Sequence, residues 1–360
     1  MQTRPSLPDS SPVTACSESS APPVLQFKSL AVVYSPETIL GSLNILLVLL
    51  FAVVIALMLG STMLSPQAVI HALQGEGDRA TQLLVLEIRL PRIVAGLVAG
   101  AALGLSGCLI QTMARNPLAS PDLLGISQGA ALAVIAGLLL GGDGLFGEWS
   151  LAVLGAAAAA GLVMLAAGRA GHQGHRVLVV GLGIATLLRA VAELLLSTIN
   201  LQQSTELYAW GIGSLIGRGY EASVPAAMGL LVLLPCALLL SRRLALLRFE
   251  SDLAASLGLN VQLTQLLILL LTIILAALGV SIAGPIAFIS LTAPILARYF
   301  STPNQVPLVR SGLIGALIVL CADTLGRSAG GSSEVPAGVI TCLMGGPFLL
   351  WVLLRRERES

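Results

Sequence analysis

Charge is what this chain lacks most. Of its 360 residues only 10% are Asp, Glu, Lys or Arg, where a soluble domain carries about a quarter. Lysine is almost missing, since Lys28 in the stretch QFKSL stands alone. A phosphate-cradling loop of the form G-x-x-x-x-G-K-[ST] is therefore impossible, and any nucleotide that powers this protein must be held by another polypeptide. The net charge is +1 and no long basic run occurs, which excludes nucleic acid as a partner. Aromatic residues make up only 4%. The five cysteines (Cys16, Cys108, Cys236, Cys321 and Cys342) show no C-x-x-C spacing. Four of them lie in or at the ends of apolar runs, where a free thiol behaves as a small hydrophobe, so neither a disulfide framework nor a metal site is read from them. His172 and His175, in GHQGHR, have no acidic or Cys neighbour to complete a metal set. No nucleophile–base arrangement supports an enzyme.

What remains is apolar. Hydrophobic residues make up 56% of the chain and glycines number 38, with a mean hydropathy of +0.93. A bilayer core about 30 Å thick takes about 20 helical residues at ~1.5 Å each. Stretches of that size occur at 40–63, 93–114, 123–142, 149–168, 177–199, 222–241, 307–326 and 335–354. The charge-free run from Leu253 to Ala297 is too long for one helix, and Gly284-Pro285 divides it, because proline removes a helical hydrogen bond and restricts its predecessor. The expectation is an all-α, polytopic membrane protein of about ten transmembrane helices. Residues 1–38, rich in Pro and Ser, read as a disordered tail, 39–356 as the membrane domain, and 357–360 as a short end. With the amino terminus inside, inner segments hold thirteen Lys and Arg residues against five outside, so both termini are expected in the cytoplasm. Gly96, Gly100 and Gly104 recur every fourth residue and read as a face for close helix packing, with a dimer seam as the alternative.

Four polar constellations interrupt the apolar pattern. In RNPLASPDLLG (115–125), Asn116 precedes Pro117, so the incoming helix stops there. Ser120 then reads as an N-cap, with Pro121 first in the next helix and Asp122 in its first turn. Local physics makes this a tight inner turn. In IRLPRIV (88–94), Arg89 and Arg92 flank Pro91 on the outer side, at what reads as a helix N-terminus where cations are disfavoured. Such misplaced charges fit carboxylates on an external partner, while snorkelling to headgroups is the plain alternative. Arg327 also faces outward. In RRLALLRFESDLAASLGLN (242–260), LAASLG reads as a short amphipathic helix stopped by Gly258, either a solvated connector or an element pressed into a cytoplasmic partner. Arg189 and Glu193, four apart within a span, read as an intrahelical pair or as groups facing a watery cavity, with proton-relay chemistry a third reading. Proton relays usually need several intramembrane acids, and this reading does not find them, which weighs against an ion-driven secondary transporter.

Several of these stretches resemble one family closely. RLPRIVAGLVAGAALGLSGCLIQTMARNPLASPDLLGISQGA (89–130), WGIGSL (210–215), ASLGLNV (255–261), AGPIAFISLTAPILAR (283–298) and EVPAGVITCLMGGPFLLWVLLRR (334–356) are similar to the iron–siderophore and cobalamin permeases of type II ABC importers, the FecCD or BtuC-like family. The resemblance implies a ten-helix, BtuC-like subunit without catalysis of its own in a bacterial cytoplasmic membrane. It implies a second permease subunit, a cytoplasmic ATPase dimer that uses ATP and Mg, an external or periplasmic substrate-binding protein, and no cofactor in this chain. Carried over by position, Arg89, Arg92 and Arg327 resemble the cations that meet the binding protein. Asn116, Pro117 and Leu118 fall where the family narrows its cytoplasmic mouth. Residues 245–260, with Leu253, Ala254, Ala255, Leu257 and Gly258, match the segment that couples to the ATPase. The resemblance favours ferric siderophores as cargo, with haem and cobalamin as alternatives. GRSAGGSSEVP, richer in Gly and Ser than the family pattern, loosens the register of Arg327.

Overall fold

The computed structural model describes residues 24–27, 30–33, 36–140, 148–167, 174–198, 211–302, 305–329 and 334–359. The first 23 residues, His172, Trp210 and the Gly/Ser link 330–333 lie outside them. The chain divides into two compact units, Met1–Leu40 and Gly41–Ser360. In the first, β1 (Val24–Phe27) pairs antiparallel with β2 (Leu30–Val33), Val24 opposite Val33 and Phe27 opposite Leu30. Both strands are short and mostly apolar, the composition that favours an extended pair. The expectation from sequence places this stretch in a disordered tail, whereas the structure pairs these strands antiparallel.

The second unit is helical. After α1 (Pro36–Met58), which begins before the unit boundary, come the short α2 (Pro66–Leu73) and α3 (Arg79–Leu83). Ser65 caps α2 by accepting the Ala68 N–H, and Pro66 takes the first helical position, where its missing donor costs nothing. From α3 the chain runs without a break through a π-helical turn, Leu84–Arg89, into α4 (Leu90–Met113). The wider turn, with Leu90 N–H bonding to Val85 O, accommodates Pro91, which has no N–H to donate. There follow a 3-10 turn (Pro121–Leu124), α5 (Ile126–Leu139), α6 (Glu148–Ala167), α7 (Gly174–Ser197), α8 (Tyr220–Leu246), α9 (Ser251–Ser256), α10 (Val261–Ala283), α11 (Ile289–Tyr299), α12 (Leu308–Ala329) and α13 (Ala337–Glu359).

Among the described residues, six helices are long and apolar enough to cross a membrane: those ending at Met58, Met113, Ser197, Leu246, Ala283 and Ala329. Ile126–Gly137, Ser150–Ala166 and Ala337–Val352 are shorter apolar helices. With the eleven-residue α11 they make the expected ten. The break before α11 falls at Gly284, where a φ of 68° ends α10.

The core is built on α4, which packs against α8, α10, α11 and α12. Glycine lets the backbones meet. A Cβ on Gly100 would sit 2.4 Å from Gly315 O, and one on Gly104 would sit 2.2 Å from Ser311 O. The four-residue glycine repeat is therefore an intramolecular face against α12, which excludes it as a dimer seam. Ala95, Ala99, Ala102 and Leu105 fill the remainder with Ile268, Leu275 and Val319.

Candidate gate and coupling site

Three arginines singled out in the sequence gather at the Leu90 end of α4. Because the helix starts at Arg79 rather than near Pro91, Arg89 and Arg92 are interior helical residues, and the N-terminal dipole penalty does not apply to them. Arg89 closes the π-turn with its side chain buried against the end of α1, donating to Leu57 O at 2.5 Å, Met58 O at 3.1 Å and Thr62 O at 2.5 Å. Leu57 and Met58 close α1, where the carbonyls have no further helical turn to bond and a cation is favoured. Arg92 grips Asp323, with Nη2 2.8 Å and Nε 3.0 Å from Oδ1, and its Nη1 lies 2.6 Å from Glu334 Oε2. Arg327 Nε lies 3.1 Å from Asp323 Oδ2, and its Nη2 donates to Ala56 O at 3.3 Å.

All three guanidinium groups expected to face an external partner are buried and committed inside the chain. The physical reason is desolvation: a buried cation needs acceptors at hand, and the Asp323 carboxylate supplies them to Arg92 and Arg327 while backbone carbonyls at Leu57, Met58 and Thr62 supply them to Arg89. Glu334, with 34% of its side chain exposed, opens the Arg92–Asp323 network to solvent. The sequence reading missed Asp323 because it lies near the end of the 307–326 span. Its four-residue spacing from Arg327 was the available signal. Arg189 and Glu193 do form the expected pair, 2.8 Å apart on the exposed side of α7.

At the other end of α4 the chain turns sharply. The helix closes with Arg115 N–H to Thr112 O (3.2 Å) and Asn116 N–H to Gln111 O (3.1 Å), the two bonds of a Schellman motif. Its left-handed position, ordinarily glycine, is held by Arg115 at φ 51°. That conformation costs a non-glycine residue about 1–2 kcal/mol. Asn116 Oδ1 accepts the Leu118 N–H at 2.9 Å, folding Asn116, Pro117 and Leu118 into a half-buried turn. Ser120 stands at the N-cap position, but its hydroxyl makes no capping bond. Instead Pro121–Leu124 forms a 3-10 turn, and α5 starts only after Gly125.

Neighbouring elements fix this turn. Gln111, fully buried, donates to Leu291 O at 3.0 Å and accepts from Arg298 at 2.9 Å, tying α4 to α11. Asp122 accepts a short hydrogen bond from Ser127 and a 3.3 Å bond from Ser290 at the start of α11. Burial pushes the Asp122 carboxyl above the usual carboxylate range, and the two hydroxyls pull it partly back.

Beside the turn lies α9. Its end repeats the motif, with Gly258 N–H to Ala255 O (2.9 Å) and Leu259 N–H to Ala254 O (3.1 Å), and Gly258 at φ 84°. Asn260 then caps α10 by accepting the Leu263 N–H. Ala254 is fully buried, whereas Leu253 and Leu257 are 49% and 57% exposed, and Ala255 is exposed between them. Leu253 on this six-residue helix and Leu257 at its C-cap, both held outward, form a small apolar knob. Arg115 Nη1 donates to Phe249 O at 3.1 Å, joining the turn to the segment that leads into α9.

A bundle of apolar helices long enough to cross a membrane, with a sharp turn after α4 and a short exposed helix beside it, fits a membrane permease. The chain belongs to the FecCD transport family, whose profile matches residues 47–355. It is 35% identical over 301 residues, 84% of this chain and 91% of the relative, to the ferric enterobactin transport system permease protein FepG of Escherichia coli K12. It is 36% identical to the hemin transport system permease protein HmuU of Yersinia pestis, over 76% of this chain and 84% of that one. A solved structure described as an inward-facing conformation of a metal-chelate type ABC transporter superposes with a TM-score of 0.75 at 28% identity, covering 88% of this chain and 98% of its own.

Proposed function

We propose that this chain is the membrane-spanning half of an ATP-driven importer of ferric siderophores. A substrate-binding protein delivers the chelate at the Arg92–Asp323 end, a second permease subunit completes the pathway, and a separate ATPase dimer seats on α9. Both termini then lie in the cytoplasm, a reading supported by the excess of Lys and Arg in the segments placed inside. The observation that carries the reading is the pairing of a polar turn, Asn116 to Leu118, with a neighbouring helix that exposes Leu253 and Leu257. One element closes a path and the other offers a handle to a soluble motor. Reversible rocking of the bundle around such a turn gives access alternately from each side. The buried cluster at the opposite end keeps α1, α4 and α12 together beneath the docking surface, with Glu334 as its exposed member.

A second cargo has specific support, since a hemin permease is as similar as the enterobactin permease. The test is uptake by vesicles that hold the permease, its cognate ATPase and its cognate binding protein. Ferric catecholate, ferric hydroxamate, hemin and a corrinoid are offered side by side. Uptake of a ferric siderophore that needs both ATP and the binding protein is expected. Preferential uptake of hemin or corrinoid would replace the cargo. Full uptake without the ATPase, or uptake abolished by an ionophore, would overturn the importer itself.

A further inference from the structure

We propose that Arg115 is a positioning residue that transmits movement of the coupling segment to the gate turn. The inference rests on the importer reading above and adds a residue to it. Two helix ends on this side of the molecule share one motif, and they fill its left-handed position differently. The end of α9 uses Gly258, at φ 84°. The end of α4 uses Arg115, at φ 51°, where an L side chain is disfavoured. Backbone strain of this kind persists where the surroundings enforce it and marks a candidate for function.

What Arg115 gains over glycine is reach. Its guanidinium bonds to the Phe249 carbonyl, 134 residues away in sequence, in the turn that joins α8 to α9. The carbonyl lies two positions before α9, whose exposed Leu253 and Leu257 await the motor. On its other side Arg115 is bonded covalently to Asn116, the residue whose side chain shapes the turn through the Leu118 N–H. The rest of that turn is anchored elsewhere: Gln111 bonds to Leu291 and Arg298, and Asp122 to Ser290, all on α11. A shift of α9 relative to α11 therefore pulls on the turn through Arg115.

The test uses the assembled transporter with Arg115→Gly and Arg115→Lys. Glycine suits the left-handed position, so Arg115→Gly is expected to melt at or above the wild-type temperature. Its ATP hydrolysis is expected to continue while cargo moved per ATP falls by about threefold to thirtyfold. Arg115→Lys, which keeps a cationic donor, is expected to recover most of that ratio. A wild-type ratio in Arg115→Gly would overturn the link, and so would equal losses in the two variants. Leu253→Arg separates this failure from failure of the importer reading. If the ATPase still assembles on Leu253→Arg, the coupling role of α9 falls. If assembly is lost there while Arg115→Gly stays fully coupled, only the Arg115 link falls.

Discussion

Asp323 holds the guanidinium groups of both Arg92 and Arg327, and its own side chain is 2% exposed. Deleting one partner of a buried ion pair costs about 3–5 kcal/mol, because the remaining charge stays desolvated. Asp323→Ala is therefore expected to lower the unfolding temperature in detergent sharply. Glu334→Ala, at the solvent edge, is expected to cost about 0–1 kcal/mol. Equal melting of the two variants would show that the buried pair contributes no more than the edge. Asp122 makes a different kind of prediction. Its folded carboxyl has a raised pKa, chiefly from burial. The folded chain thus binds this proton more tightly than the unfolded chain does. The stabilisation is complete below the ordinary carboxylate pKa and is lost as pH rises toward the raised value. Asp122→Asn is expected to melt above wild type at neutral pH, with the gap closing on acidification. A gap that does not change with pH would refute the assignment.

Between elements, glycine decides how closely helices approach. The Cβ of Gly104→Val would meet Ser311 O on α12, where the backbone has nowhere to go. Overpacking costs about 1–3 kcal/mol or more, and thermal unfolding should show it. Gly161→Ala is the control, because a Cβ there meets nothing within 4 Å. Melting of Gly104→Val at the wild-type temperature would place the α4–α12 contact elsewhere. This contact was legible in the sequence, since Gly96, Gly100 and Gly104 repeat at helical spacing. So were the break at Gly284-Pro285 and the stop at Gly258, which local backbone chemistry dictates. The π-turn at Leu84–Arg89 was not legible. Pro91 just past it is as consistent with a helix start as with a widened turn, and the bond from Arg89 back to Leu57 spans 32 residues. That single unseen turn misdirected the arginines. Read as lying at a helix start, Arg89 and Arg92 looked misplaced, whereas in a continuous helix they are interior residues with partners. The partners of Arg92, Asp323 and Glu334, lie more than 230 residues further along the chain, and those of Arg89, on Leu57, Met58 and Thr62, lie 27 to 32 residues back, beyond the reach of any local pattern.

At the scale of the whole molecule the same residue type faces two different surroundings. The apolar stretches of α4, α10 and α12 are 83%, 78% and 67% buried, while those of α1, α7 and α8 are 17% buried. The outer helices expose leucine along their length because lipid takes the place of a protein core. Leu231, 72% exposed near the middle of α8, belongs to that surface. Leu257, 57% exposed beyond the end of α9, does not, because Asp252, Glu250 and Arg248 surround its segment with charge. Opposite outcomes follow from the same substitution. Leu231→Arg places a cation near the bilayer centre, at a cost of about 2.5–3.5 kcal/mol on insertion scales. It is expected to reduce the amount of permease recovered in the membrane. Leu257→Arg adds a charge where water already reaches, so membrane yield is expected to match wild type while retention of the ATPase in pull-downs falls. Membrane yields that drop equally would place α9 inside the bilayer, and retention unchanged in Leu257→Arg would leave the apolar knob without a motor to hold.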